Sequence, residues 1–95
     1  MSTKYPIQHD DGIFWIAEDQ HKLAEITYRW HNDKTIIADH TWVDDCLRGQ
    51  GVAAQLLDAL VTFARQHQLK IIAECSYVQV MFQRDQRLAD VIASA

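Results

Sequence analysis

Two of the three glycines in this chain stand two residues apart, inside Leu47-Arg48-Gly49-Gln50-Gly51-Val52-Ala53-Ala54. Glycine lets a backbone turn tightly and approach a ligand with no Cβ in the way. A run with helical periodicity begins at Val52. The first N–H groups of a helix have no intrahelical partner, and together with the helix dipole they attract anions. The stretch therefore reads as an anion cradle of the kind that takes phosphate. The remaining chemistry-bearing residues do not group by spacing. His9, His21, His31, His40 and His67 show no paired metal-ligand spacing with one another or with Cys46 and Cys75, so no metal is expected. Cys46 and Cys75 could close one bridge at most, and nothing points to secretion. Free thiols in a reducing, cytoplasmic compartment are the expectation.

The elements that must position this loop follow from composition and periodicity. At 95 residues, with 48% hydrophobic and 23% charged side chains, the chain is expected to form a single domain, 1–95, around one core. A formal charge of −4 without a Lys/Arg-rich run argues against nucleic acid as the main partner. The apolar runs are far short of the roughly 20 residues that span a bilayer, and the N-terminus has no signal-peptide core, so no membrane is expected. Residues 5–8 read as a short edge strand, where Pro6 is tolerated, and Asp10-Asp11-Gly12 as a turn. Residues 13–17 are an aromatic and β-branched strand. Residues 22–30 alternate, with Ala24, Ile26, Tyr28 and Trp30 on one face and Glu25, Thr27 and Arg29 on the other. Residues 31–34 suit a hairpin turn into an antiparallel strand over 35–43. The period then changes, and residues 52–67 carry apolar positions at helical spacing opposite a polar stripe. A buried strand over 70–75 follows, and strand, helix, strand in this order favours a parallel pair. Residues 77–83 form a short helix, and Leu88, Val91 and Ile92 a last helical turn or two.

The order strand, Arg48-Gly49-Gln50-Gly51-Val52-Ala53, long helix, strand resembles the acetyl-CoA loop of the Gcn5-related N-acetyltransferases. That loop reads Gln/Arg-x-x-Gly-x-Gly/Ala, and Arg48, Gly51 and Ala53 occupy its defined positions. His40-Thr41-Trp42-Val43 before the loop and Cys75-Ser76-Tyr77-Val78 after the next strand are similar to segments of the family's very small members. The resemblance covers residues 12–84 and implies a minimal α+β acyl-CoA N-acyltransferase (GNAT-like) fold. That fold has a mostly antiparallel sheet of four or five strands, a parallel strand-helix-strand unit, one long helix over about 52–67 and short C-terminal helices. Only residues 18–21 fill the gap where larger members carry two helices, and little follows Gln83, so the usual walls of an acceptor site are absent.

The resemblance implies acetyl-CoA as co-substrate and an amine as acceptor. Backbone N–H groups of Gln50, Gly51, Val52, Ala53 and Ala54 would surround the pyrophosphate. Gly49 and Gly51 would keep it clear of side chains, Arg48 would add a charge-assisted bond, and Ala53 would let the helix pack close to the sheet. Backbone groups around Trp42 and Val43 would pair with the pantetheine arm. Cys75 would lie near the thioester, either as a nucleophile that accepts acetyl or as a small core residue, with His40 as its base. Tyr77 or Ser76 would protonate the departing thiolate. The leading expectation is an N-acetyltransferase acting directly or through Cys75 on a protein lysine, an N-terminus or a polyamine. Two alternatives remain open: a non-catalytic CoA-binding or regulatory module, and an interaction domain that binds no nucleotide. A monomer is the default, although Trp15, Trp30 and Trp42 would also serve a dimer patch.

Overall fold

The alternation of apolar and polar residues up to Val43 yields antiparallel strands, and the change of period at Val52 yields one long helix. The computed structural model describes residues 6–93. Its elements are β1 (Gln8–Asp10), β2 (Ile13–Glu18), β3 (His21–Asn32), β4 (Thr35–Val43), α1 (Val52–Gln66), β5 (Lys70–Ala73) and α2 (Ser76–Arg84). Short 3-10 segments span Asp45–Leu47 and Gln86–Val91. The strands form one sheet in the order β1-β2-β3-β4-β5, antiparallel throughout except for the parallel β4–β5 pair. The α+β fold and the long helix stand as the sequence implied.

One face of the sheet carries the core. Phe14, Ile16, Ala24, Ile26, Tyr28, Ile36, Ala38 and Ile71 are buried there together with Val52, Leu56, Leu57, Leu60, Val61 and Ala64 of α1. Each large apolar side chain buried in this way contributes about 1.5–3 kcal/mol, which fixes α1 on the sheet. The opposite face stays partly exposed, with Trp15, Glu25 and Trp42 side by side on β2, β3 and β4.

Several boundaries differ from the sequence reading, each for a physical reason. The edge strand is Gln8–Asp10 rather than residues 5–8, because it pairs with Ile13 to Trp15; Tyr5 lies outside the described residues. Only residues 33 and 34 make the β3–β4 turn, where the Lys34 N–H donates to Asn32 Oδ1 at 2.9 Å, so His31 and Asn32 belong to β3. Trp30 does not complete the buried stripe: it is 46% exposed, and its indole N–H donates to Asp11. Ile92 leaves the C-terminal helical turns and bridges in parallel to Ile71.

Two irregularities shape the site. Thr27 pairs with His40 but Tyr28 pairs with Ala38, so Asp39 is an extra residue that bulges β4. The β4–β5 ladder stops at Ala38 opposite Ala73, earlier than a strand over 70–75 would allow. The N–H groups of Glu74 and Cys75 both converge on the Ala38 carbonyl, at 3.0 and 2.9 Å, and this ends the ladder. Beyond that point β4 continues to Val43 while the chain after β5 turns into α2, and a wedge opens between them.

Candidate functional site

The wedge opens toward the start of α1. The first bond of that helix runs from the Gln55 N–H to the Gly51 carbonyl at 3.1 Å, which leaves the N–H groups of Val52, Ala53 and Ala54 free of intrahelical partners. Gly51 precedes them in the left-handed region, with φ 75° and ψ 18°, and no side chain caps the helix. No acidic residue stands in its first turn either. A Cβ placed on Gly49 or Gly51 would meet no heavy atom within 4 Å. The glycines are therefore required by their positive φ, and the space around them is open to a ligand.

A cavity of about 390 Å³ fills this space, within the range of small-molecule sites. Thr41 and Val43 line it from β4, Leu47, Arg48, Gly49 and Gly51 from the loop, Val52, Ala53 and Ala54 from α1, and Tyr77 from α2. The Asp44 N–H donates to the Leu23 carbonyl at 2.7 Å, toward β3. Main-chain groups alternate along a strand, so those of Trp42 also point to β3, and those of Val43 and Thr41 point into the wedge.

Of the residues expected at the cofactor, Val43, Arg48, Gly49, Gly51, Val52, Ala53 and Ala54 line the cavity. Trp42 and Gln50 do not: the Trp42 main-chain groups point to β3, and the Gln50 N–H expected at the pyrophosphate donates instead to the Leu47 carbonyl at 3.3 Å. Thr41 and Leu47 are lining residues that the sequence reading missed. Strand alternation from Val43 would have marked Thr41; no sequence signal marks Leu47.

The loop is locally charged. Arg48 Nε lies 2.9 Å from Asp45 Oδ1, with both side chains largely exposed. The Asp44 carboxylate caps the 3-10 turn by accepting from the Cys46 N–H at 3.0 Å, and the backbone and thiol of Cys46 hold its carboxyl below the usual range. The same pairing with Asp44, with desolvation second, pushes the thiol of the exposed Cys46 up.

At the other end of the wedge, Cys75 occupies the N-cap position of α2 and its thiol donates to Thr41 Oγ1 at 3.4 Å. Burial raises the Tyr77 phenol above its ordinary value, and the neighbouring Cys75 adds to that shift, so Tyr77 keeps its proton at neutral pH. The structure thus brings Cys75 and Tyr77 together and puts Thr41 with them. His40 stands apart: it faces Thr27 across the strands, and its Nε2 lies 3.4 Å from Glu25 Oε2 on the exposed face. Behind the wedge, Arg29 donates to both oxygens of Glu74, at 3.0 and 2.7 Å, and to Asp39 at 3.0 Å. This side-chain clamp joins the bulge in β4 to the residue before Cys75.

A mixed sheet whose parallel strands splay apart beside an uncapped helix entered through glycine defines the acyl-CoA N-acyltransferase (GNAT-like) class. The model of the GCN5-related N-acetyl-transferase family matches residues 13–91, and the chain belongs to that family of acetyltransferases. Among curated proteins it is similar to Protein NATD1 of Xenopus tropicalis, with 36% identity over 59 residues, 62% of this chain and 54% of the relative. Protein NATD1 of Danio rerio is 28% identical over 82 residues, 83% of this chain and 74% of the relative. The chain thus spans about half the length of the frog relative. The solution structure of a GCN5-like protein from Staphylococcus aureus superposes with a TM-score of 0.82 at 40% identity, covering 99% of this chain and 93% of that one. A GNAT family acetyltransferase from Elizabethkingia anophelis, solved with acetyl-CoA bound, shares the fold with a TM-score of 0.60 at 15% identity, over 78% of this chain and 52% of that one. No helix among the described residues is long and apolar enough to cross a membrane.

Proposed function

We propose that this chain binds acetyl-CoA in the wedge and transfers the acetyl group to an amine. The observation that carries the reading is one continuous cavity, which runs from the free N–H groups of α1 to Thr41 and Tyr77 where β4 and β5 part. The pyrophosphate belongs at the helix start, where backbone donors and the dipole act together. The pantetheine arm then runs along β4 beside the main-chain groups of Val43 and Thr41, which brings the thioester toward Tyr77. The lone pair of a neutral amine attacks the thioester carbonyl, donors stabilise the developing oxyanion, and the carbon–sulfur bond breaks. The departing CoA thiolate takes the Tyr77 phenol proton and leaves as the thiol, and the attacking amine gives up one of its own protons to solvent, from which the Tyr77 phenolate is reprotonated.

A second reading is favoured by the 3.4 Å approach of Cys75 to Thr41, itself a wall of the cavity. On that route Cys75 sulfur attacks the thioester, CoA leaves as the thiol after the cysteine proton passes to it, and acetyl-Cys75 delivers the acetyl group to the amine. His40 cannot act as the base from its position beside Glu25 without a rearrangement of β4. Both cysteines are free thiols, which suits a reducing compartment such as the cytoplasm.

Calorimetry with acetyl-CoA and mass spectrometry after incubation test these statements. Saturable binding is expected; a protein that binds neither acetyl-CoA nor CoA would not be an acetyltransferase of this kind. An acetyl adduct on Cys75 that disappears on adding an amine supports the covalent route. Wild-type turnover of a verified acceptor by Cys75→Ala sinks it. Binding without transfer to any lysine- or amine-bearing acceptor would instead mark a CoA-binding module.

A further inference from the structure

The contact between Cys75 sulfur and Thr41 Oγ1 also bears on direct transfer, in which Cys75 is no nucleophile. We infer that Thr41, oriented by the Cys75 thiol, donates its hydroxyl proton to the carbonyl oxygen of the bound thioester. The inference rests on the reading that acetyl-CoA lies in the wedge with its thioester toward Tyr77.

A threonine hydroxyl has one proton to give and two lone pairs to accept with. One lone pair of Thr41 Oγ1 is engaged by the Cys75 thiol, which donates to it at 3.4 Å. The hydroxyl's own proton goes to no side-chain or backbone acceptor among the described residues, and Thr41 stands on the cavity wall. Cys75 itself is not part of that wall. The order is therefore sulfur, hydroxyl, cavity, with the hydroxyl nearer the ligand than the thiol.

Geometry holds the hydroxyl in place. Thr41 sits opposite Ile26, on the same face of β4 as the core, just past the Asp39 bulge that moves the strand into this register. Its branched side chain has few χ1 choices, and the thiol contact selects among them. The Thr41 N–H also points into the wedge by strand alternation, so one residue offers two donors to the same space. Two fixed donors facing a carbonyl oxygen are what stabilise the negative charge that builds there on amine attack. Cys75 then serves as a positioning residue, and its replacement by another donor of similar size preserves the arrangement.

Acetyl-CoA labelled with carbon-13 at the acetyl carbonyl tests this, observed by NMR at saturating concentration so that affinity changes do not enter. A hydrogen bond to the carbonyl oxygen moves the labelled resonance downfield on binding. Wild type, Thr41→Ser and Cys75→Ser are expected to show the displacement. Thr41→Val, nearly the same shape without the hydroxyl, is expected to lose most of it, and Cys75→Ala part of it; amide spectra confirm that each variant is folded. A bound complex of Thr41→Val with the wild-type resonance position overturns the donor role, and a wild-type position in Cys75→Ala overturns the orienting role of the thiol. If wild-type protein binds no acetyl-CoA, the reading beneath the inference fails first, and the binding isotherm reports that separately.

Discussion

The two ends of the wedge are built from different materials. At the α1 end the groups proposed to bind are main-chain N–H groups of consecutive residues, free because Gly51 enters the helix at positive φ without a side-chain cap. At the Tyr77 end they are side chains from separate elements, with Thr41 on β4 and Cys75 and Tyr77 at the start of α2. A backbone cradle is indifferent to most side chains nearby and intolerant of any change in its own φ. A side-chain site behaves the other way, since it tolerates backbone neighbours but fails when one functional group is removed. The first end should therefore govern affinity and the second should govern rate.

The sharpest way to break this division is Gly51→Asp. The new residue must hold φ 75°, at a cost of about 1–2 kcal/mol in stability. Its carboxylate would also occupy the open space beside the free N–H groups and repel a pyrophosphate. Calorimetry is expected to show acetyl-CoA affinity reduced about 100-fold or more, equivalent to roughly 3 kcal/mol. Gly51→Ala separates the causes. It carries at least as much backbone strain, since Asp tolerates the left-handed region better than Ala, but no charge, so its melting temperature falls while most affinity remains. Equal losses of affinity in both variants would mean that strain, not anion binding, explains the glycine.

Tyr77→Phe probes the other end, with a smaller effect in a different quantity. General acids contribute about 100-fold or more, and another donor nearby offsets part of the loss, so turnover of an acceptor is expected to fall about 10- to 100-fold with affinity little changed. Weakened binding at unchanged turnover would put Tyr77 with the cradle. The phenol also carries a pH signature. Burial raises the pKa of both Tyr77 and Tyr28 above the ordinary value of 10.0. A raised folded-state pKa means that the folded protein holds the proton more tightly than the unfolded chain. The associated stability is complete below pH 10.0 and is lost as pH rises through the folded-state values. Melting temperatures measured across that alkaline range should fall less steeply for Tyr77→Phe than for wild type.

The same division explains what the sequence made legible. The start of α1 occupies contiguous positions, so two glycines and a change of hydrophobic period at Val52 located it to within a residue. The core face was legible because alternation in β3 and helical spacing in α1 each mark a buried stripe, and Trp30 broke the pattern only where β3 runs past the core. The Tyr77 end depends on register. The bulge at Asp39 and the arrest of the β4–β5 ladder at Ala38 decide which face each residue takes, and neither leaves a mark in composition or periodicity. His40 was therefore paired with Cys75 in the sequence reading, whereas the strand delivers the next residue, Thr41. A one-residue shift exchanges faces, and here the bulge at Asp39 sets the count.

The smallest expected effect tests whether the cradle is truly made of backbone. Arg48 is the one cationic side chain on the cavity wall among the described residues, and it is already paired with Asp45 at 2.9 Å. To reach a phosphate it must leave that carboxylate, so the gain on binding is the difference between two exposed ion pairs, each weak in water. Arg48→Gln is accordingly expected to weaken acetyl-CoA binding only about threefold to fivefold at low salt, and less as salt screens both pairs. Asp45→Asn, which releases Arg48, should strengthen binding by about twofold under the same conditions. A loss in Arg48→Gln as large as that in Gly51→Asp would invert the comparison. The anion would then be held by a side chain, and the free N–H groups of Val52, Ala53 and Ala54 would be no more than an ordinary helix end in water.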